Sequence, residues 1–178
     1  RYGFKQRLGL YPDHIIRPGK NGDEAFRIWI HAASVGEVQV AEALIGPMKK
    51  WFPRASFFLS TVTEKGQQFA KERLANHCIC ILAPIDFIFS VKRAMSDIRP
   101  DLFICLETEL WPHLLIQAKR AGATTMVLNG RISVHSIKHY LRVKPFVAAA
   151  LRHVDGFSMI SQENARRIKS LGADAERV

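Results

Sequence analysis

The sequence predicts an α/β fold with a Rossmann-like, doubly wound parallel sheet, and two observations support this prediction. From residue 27 onward, short apolar runs alternate with longer amphipathic segments, which is the pattern of repeated strand and helix units. The short runs are nearly continuous in Val, Ile, Leu and Phe, as expected for strands that helices cover on both faces. Six strands and six helices follow from this alternation.

The predicted elements occur in turn along the chain. The strands are Arg27–Ala32, Ser56–Ser60, Ile79–Leu82, Leu102–Leu106, Thr125–Leu128 and Gly156–Ile160. The helices are Glu37–Trp51, Lys65–Leu74, Phe87–Ile98, Pro112–Ala121, Ser136–Leu151 and Gln162–Ser170. The glycine after Ala121 is typical of a helix end, and the serine before Gln162 is typical of a helix start.

One domain is expected over residues 27–178, because a chain of 178 residues can bury a single sizeable core. Residues 1–26 are interpreted as a leader, since the stretch Tyr11–Phe26 is rich in Pro, Gly and charge. The chain opens without an initiator Met, so we expect this leader to follow a membrane anchor that the sequence does not include. No apolar stretch approaches the roughly 20 residues that cross a bilayer.

The net charge of +10 predicts an anionic partner, which is a nucleic acid, a phospholipid surface or a phosphorylated substrate. Nucleic acid is the weakest of these, because Lys and Arg are scattered and not interleaved with aromatic residues. The three cysteines form no CxxC pair, and no DxD motif occurs. The sequence therefore predicts neither a metal site nor a cofactor.

The first candidate loop follows the first strand, at the carboxyl edge where doubly wound sheets bind ligands. It runs from Ala32 to Glu37, and its small residues let a ligand approach the backbone closely. Ser34 and Gly36 are candidate substrate-binding residues, and Gly36 is expected to permit a sharp turn into the helix. Glu37 has two interpretations, as a cap that complements the helix dipole or as a general base.

The second candidate loop follows the fourth strand and reads Glu107-Thr108-Glu109-Leu110-Trp111-Pro112. If it faces one cleft with the first loop, Glu37 and a second carboxylate flank a reacting centre there. Glu107 is the candidate catalytic partner, and Glu109 is a candidate substrate ligand. The alternative is structural, with Thr108 or Glu109 capping the next helix and Trp111 acting as a packing anchor.

Two further residues occupy loops at the same edge. Asp86 is a candidate substrate ligand, although an N-cap on the helix that follows it explains this residue better. Arg131 is suited to bidentate contact with a carboxylate or phosphate. An ion pair of Arg131 with Glu107 or Glu109 explains it equally well.

The chain resembles the 3-deoxy-D-manno-octulosonic acid (Kdo) transferases of lipopolysaccharide synthesis over nearly its whole length. The motifs that carry this resemblance, in order, are His31–Glu37, Thr61–Gly66, Pro84–Asp86, Glu107–Pro112, Asn129–Ser133 and Ser161–Gly172. The SVGE and ETELWP strings are the most specific of them. Two segments depart from the pattern that is usual in this family. Asn129–Ser133 reads NGRIS where NARLS is usual, and Thr63–Gly66 reads TEKG where TPTG is usual.

The resemblance implies the amino-terminal half of a GT-B glycosyltransferase at the cytoplasmic face of the inner membrane. Such an enzyme moves Kdo from CMP-Kdo to the lipid A precursor, lipid IVA, with inversion. The matching positions imply that Glu37 is the proton acceptor, that Glu107 stabilises the transition state and that Thr63 contacts substrate. The family continues beyond Val178 into a domain that holds most of the CMP contacts, so we expect this fragment alone to be inactive.

Binding modules without catalysis remain the alternative function class. A nucleotide- or anion-binding module of Rossmann-like shape would have the same sheet, with Glu37 and Glu107 serving only as helix caps. The two classes differ in whether both carboxylates open into one cleft.

Overall fold

The computed structural model of the protein describes residues 3–16, 26–107 and 110–178. Within them lies one six-stranded parallel sheet with the strand order β3-β2-β1-β4-β5-β6. The strands are β1 (Arg27–His31), β2 (Ser56–Thr61), β3 (Ile79–Leu82), β4 (Leu102–Leu106), β5 (Thr124–Gly130) and β6 (Gly156–Met159). The predicted doubly wound α/β fold is confirmed. Both ends of each predicted strand lie within two residues of the ends of an observed strand.

Helices cover both faces of the sheet. They are α1 (Phe4–Arg7), α2 (Asp13–Ile16), α3 (Val35–Trp51), α4 (Glu64–Leu74), α5 (Ile88–Ile98), α6 (Pro112–Arg120), α7 (Val134–Arg142), α8 (Lys144–Leu151) and α9 (Gln162–Ser170). Buried residues of α3 and α4 pack on one face, whereas those of α5, α6, α8 and α9 pack on the other. The sheet therefore separates two cores.

Alternation along β1 shows how one strand serves both cores. Ile28 and Ile30 pack under α3 and α4, while Trp29 and the buried ring of His31 lie on the opposite face. Successive side chains of a strand point to opposite faces, so the apolar run Ile28–Ile30 contributes to both cores.

The prediction of one long helix over Ser136–Leu151 was wrong. Two helices, α7 and α8, occupy this stretch and meet at Val143. Pro145 explains the break, because proline has no N–H to donate to the preceding turn and disfavours helical backbone in the residue before it. Pro145 instead lies in the first turn of α8, where that missing donor costs nothing.

The described part of the predicted leader is folded onto the domain. The Tyr11 hydroxyl donates to the Leu82 carbonyl at 2.9 Å, and the Leu82 N–H donates to Gln6 Oε1 at 2.7 Å. Ile16 is buried in the same core as the β1 residue Trp29. Residues 3–16 thus belong to the packed domain, while residues 17–25 of the predicted leader lie outside the described residues. In the described part of the chain, every helix is too short or too polar to cross a membrane.

Gly9 and Gly122 provide a matched pair for testing how tightly the amino-terminal segment packs. Both have left-handed backbone, with φ of 74° and 92°. A Cβ at Gly9 would lie 2.1 Å from the Ser90 carbonyl oxygen, whereas one at Gly122 would meet nothing within 4 Å. Gly122→Ala should cost about 1–2 kcal/mol for its backbone conformation alone. Gly9→Ala should cost roughly 1–3 kcal/mol more because of the overlap.

Urea unfolding of the complete protein would measure both costs. Equal losses of stability in the two variants would contradict the close packing of residues 3–16 on α5.

Candidate active site at the reversal of strand order

The candidate site lies where the strand order reverses, between β1 and β4. These strands are hydrogen-bonded neighbours, with His31 opposite Cys105 in register. Open α/β sheets bind ligands at such a point, in the crevice beyond the carboxyl ends of the strands. The loops that carry Glu37 and Glu107 therefore start side by side, as the hypothesis of a shared site requires.

Glu37 and Ser34 form a variant of the capping box at the start of α3, in which the carboxylate reaches the residue before the N-cap. Ser34 is the N-cap, and its Oγ accepts the Glu37 N–H at 3.4 Å. The Glu37 carboxylate accepts the Ala33 N–H through Oε2 at 2.7 Å and the Ser34 hydroxyl through Oε1 at 3.0 Å. The Glu37 side chain is only 4% exposed, while Ser34 is exposed. Glu37 thus lies in the first turn of α3, where a carboxylate complements the helix dipole, and its catalytic role stays a hypothesis.

The expectation that Gly36 permits a sharp turn was wrong. Gly36 is the second residue of α3, and it is not one of the glycines whose φ is positive. An added Cβ would meet only the Ser34 hydroxyl oxygen, 3.9 Å away. The small size of Gly36 therefore leaves open space above the first turn of the helix, where helices present unpaired N–H groups.

Glu107 has a strained backbone at the end of β4. Its φ of 56° lies in the left-handed region, which is uncommon for a residue with a side chain. Asn129, at the corresponding end of the neighbouring strand β5, also has a φ of 56°. The Glu107 N–H donates to the Leu128 carbonyl at 3.1 Å, which ties the two strand ends together. Such strain is concentrated at functional sites, and Glu107 is half-buried here.

Asp86 caps a different helix from the one predicted. The residue that precedes α5 is Phe87, which makes no side-chain cap, so the expected cap on the following helix was wrong. The Asp86 carboxylate instead accepts the N–H groups of His113 and Leu114, at 3.2 and 2.9 Å. These are early donors of α6, because Pro112 at its start has no N–H. Asp86 thus fastens the start of α6 to the loop after β3.

Two other residues, Thr108 and Glu109, were predicted to cap α6. Thr108 and the candidate substrate ligand Glu109 both lie outside the described residues. Trp111 is the N-cap residue, and it makes no side-chain cap bond.

Thr63 and Arg131 lie at the same edge of the sheet. Thr63 is the exposed N-cap of α4, and its Oγ1 accepts the Gly66 N–H at 3.0 Å. Arg131 is exposed, and no carboxylate in the described part of the chain pairs with it. The alternative interpretation, an ion pair of Arg131, is therefore not formed with Glu107, while Glu109 lies outside the described residues. Its neighbour Ile132 is held in place, because the Ile132 N–H donates to Asn164 Oδ1 at 2.6 Å.

His31 is a site residue that the sequence analysis did not single out. Its side chain is 1% exposed, and burial lowers the pKa of its imidazole from 6.5 to about 4. Nδ1 lies 2.9 Å from the Ser60 hydroxyl, which also accepts the Trp29 indole N–H at 2.8 Å. The Trp111 ring meets the imidazole almost perpendicularly, with centroids 5.3 Å apart. The available signal was a polar residue that ends an otherwise apolar strand.

A groove of about 300 Å³ opens beside α3, near the carboxyl ends of β5 and β6. Its lining is mostly apolar and comprises Val40, Ala43, Leu44, Leu128, Asn129, Ser158, Met159 and Ile160. A larger cavity of about 470 Å³ lies at the opposite edge, around Arg99 and Gly122, and contains no candidate residue. The groove beside α3 includes Asn129, the residue at the end of β5 that corresponds to Glu107 at the end of β4.

Comparison with known proteins shows what this arrangement is related to. Residues 2–178 match the family model described as 3-deoxy-D-manno-octulosonic-acid transferase (kdotransferase). The chain belongs to this family. The predicted resemblance of the chain to the Kdo transferases is therefore confirmed.

Individual Kdo transferases and one related protein are similar over most of this chain. The 3-deoxy-D-manno-octulosonic acid transferase of Chlamydia pneumoniae is 33% identical over 93% of the chain and 37% of its own length. That of Haemophilus influenzae is 28% identical over 100% of the chain and 40% of its own length. A bifunctional glycosyltransferase/methyltransferase of Fusobacterium nucleatum is 33% identical over 88% of the chain and 24% of its own length. The chain thus spans less than half of each relative.

The cap from Asp86 predicts a measurable loss of stability in this Kdo transferase domain. Asp86→Ala removes the acceptor of two backbone N–H groups and should cost about 1–2 kcal/mol. Asp86→Asn keeps one amide oxygen as an acceptor and should cost roughly half as much. Urea unfolding of the complete protein would measure both variants. An alanine variant as stable as the parent would show that the two hydrogen bonds do not hold α6.

Proposed function

We propose that this chain provides the acceptor side of a glycosyltransferase that moves Kdo from CMP-Kdo onto the lipid A precursor, lipid IVA, with inversion. The observation that carries the proposal is the placement of Glu37 and Glu107 after adjacent strands at the reversal of strand order. Membership of the Kdo transferase family supports the nature of the sugar. The site operates at the cytoplasmic face of the inner membrane.

The proposed reaction is one displacement at the anomeric carbon of Kdo. A hydroxyl of the acceptor sugar loses its proton to the Glu37 carboxylate while its oxygen bonds to the anomeric carbon. The bond from that carbon to the phosphate oxygen of CMP breaks, and CMP leaves with the electron pair. Attack from the side opposite to the leaving group inverts the configuration.

The two oxygens of Glu37 differ in a way that supports its role as the proton acceptor. Oε2 is held by the backbone N–H of the buried Ala33, which orients the carboxylate. Oε1 is bonded to the hydroxyl of Ser34, an exposed residue. An incoming sugar hydroxyl can take the place of the Ser34 hydroxyl at Oε1, and the open space over Gly36 leaves room for the sugar.

Glu107 contributes negative charge on the β4 side of the crevice. Transfer of Kdo develops positive charge at its anomeric carbon, and a preorganised carboxylate stabilises such charge. The strained, half-buried position of Glu107 supports a fixed orientation of this kind. Arg131 is exposed, and no carboxylate among the described residues pairs with it. Its guanidinium is therefore suited to bind the carboxylate of Kdo or a phosphate.

The remaining residues proposed to contact substrate differ in whether they already cap a neighbouring helix. Ser34 and Gly36 border the open first turn of α3 and are proposed to contact the acceptor. The side chains of Thr63 and Asp86 already accept backbone N–H groups of α4 and α6, so any contact they make with substrate shares those oxygens.

An anionic membrane surface is the proposed partner, and the surface of α7 and α8 supports it. Residues 131–154 contain five Lys or Arg residues and no Asp or Glu. Exposed apolar side chains lie among them, at Val134, Leu141, Val143 and Phe146. Mixed basic and apolar surfaces of this kind bind anionic lipid bilayers. The apolar groove beside α3 supports an acceptor with an apolar part.

A module that binds an anion without catalysis is the second candidate. One observation favours it, because both oxygens of the Glu37 carboxylate are already bonded within its own capping box. A catalytic Glu37 needs its negative charge to accept a proton, whereas a Glu37 that only caps the helix needs only its hydrogen bonds.

Glu37→Gln separates these candidates. Glutamine keeps an oxygen for the Ala33 N–H and a side chain of equal size, so the cap and the thermal unfolding temperature should change little. It cannot accept a proton, so kcat for Kdo transfer should fall by at least about 100-fold. The measurement is transfer from CMP-Kdo to lipid IVA by the complete protein. Near-normal turnover with an intact cap would refute the catalytic assignment of Glu37, whereas a parent protein that transfers no Kdo would favour the binding module.

Glu107→Gln should lower kcat for Kdo transfer strongly, by roughly 100-fold, with modest change in acceptor binding. Glu107→Gly is the structural control, because glycine adopts left-handed backbone without the cost that a side chain incurs. The glycine variant should therefore unfold at a temperature no lower than that of the parent, yet be as inactive as the glutamine variant. Loss of activity only in proportion to loss of stability would indicate a structural role.

A further inference from the structure

A chain of buried polar groups runs from the core to the candidate site. It begins at the Trp29 indole N–H, continues through the Ser60 hydroxyl and reaches Nδ1 of His31. All three side chains are at most 1% exposed. Polar groups buried to this extent cost free energy unless each donor and acceptor is paired, so the hydrogens of this chain can be assigned by pairing.

The pairing favours one tautomer of His31. The Trp29 indole nitrogen only donates, so the Ser60 oxygen accepts from it. The single Ser60 hydrogen is then free to donate to Nδ1 of His31, which satisfies all three groups. If Nδ1 carried the proton instead, the Ser60 hydrogen would have no acceptor among the described residues. Burial also keeps the imidazole neutral, since the pKa of His31 is lowered to about 4.

The proton of this tautomer lies on Nε2, which is buried and has no hydrogen-bond partner in the described part of the chain. The perpendicular contact with Trp111 offers a partner of another kind, because an N–H directed at an indole face is a weak hydrogen bond. The indole N–H of Trp111 is also buried without an acceptor among the described residues. The imidazole of His31 is therefore the aromatic contact that accompanies this unpaired indole, and the Nε2–H tautomer supplies it with a donor for the indole face.

We propose that His31 is a positioning residue. The hydrogen-bond chain from Trp29 through Ser60 fixes its imidazole as the Nε2–H tautomer, and this N–H holds the indole face of Trp111. Trp111 ends the loop that begins with Glu107, and α6 follows it directly. His31 thus contacts the residue that directly precedes α6, the helix whose start Asp86 fastens. The consequence for turnover rests on the proposed function, whereas the tautomer and the ring contact do not.

The tautomer is tested by long-range proton–nitrogen spectra of the ¹⁵N-labelled complete protein, with His31 assigned from the spectrum of His31→Gln. The expected result is a protonated Nε2 and an unprotonated Nδ1 between pH 6 and about pH 8, the range in which an ordinary histidine titrates. The Nε2 proton should be shielded by the indole ring, and Trp111→Leu should remove that shielding. A protonated Nδ1, or a proton that Trp111→Leu does not shift, overturns the proposal.

Two substitutions of His31 test what its N–H does for transfer. His31→Gln places an amide N–H near the position of Nε2, while His31→Met has similar length and no donor. The methionine variant should lose roughly 10-fold or more in kcat, because small displacements of a catalytic loop are costly. The glutamine variant should recover most of that loss, with an unchanged KM for CMP-Kdo. Equal losses in both variants at equal thermal stability would refute a positioning role of the N–H.

Ser60→Ala, which breaks the chain of hydrogen bonds, has a matched control in Ser90→Ala, a buried serine on α5 outside this chain. Ser60→Ala should yield a mixture of His31 tautomers, and Ser90→Ala should leave the Nε2–H tautomer unchanged. If the parent protein transfers no Kdo, the proposed function fails, while the spectra still decide the tautomer and the contact with Trp111.

Discussion

The parallel pairing of β1 with β4 is the constraint on which the candidate site depends. Because His31 and Cys105 are in register, the chain leaves both strands at the same height. The helices that follow then diverge, since α3 packs on one face of the sheet and α6 on the other. Sheets of this type bind ligands in the crevice between two such loops, and each of these loops carries one of the candidate carboxylates.

Contacts from outside each loop hold the crevice in shape. The start of α6 is fastened by Asp86 from the loop after β3, and Ile132 after β5 is fastened by Asn164 of α9. Left-handed backbone at Glu107 and Asn129 persists because the neighbouring strand ends are hydrogen-bonded to each other. A site built from rigid strand ends and shared hydrogen bonds keeps its groups in place before a ligand arrives.

Glu37 illustrates why residue type and spacing alone leave a function open. Its capping box is a local pattern, with Ser34 three residues before it, and both oxygens are engaged in it. The same two hydrogen bonds orient a base and stabilise a helix. What supports a catalytic role is that the loops of Glu37 and Glu107 follow adjacent strands, which no local pattern contains.

The sequence by itself determined the strands, most of the helices and the family, because apolar runs, caps and motifs are local patterns that residue order records directly. Pro145 also records the break at Val143 in the sequence, because proline favours the first turn of a helix over its interior. Only the tertiary structure decided that β1 lies beside β4, that Asp86 caps α6 and that His31 meets Trp111. These contacts join residues that lie far apart in the chain, and packing of the whole sheet selects them.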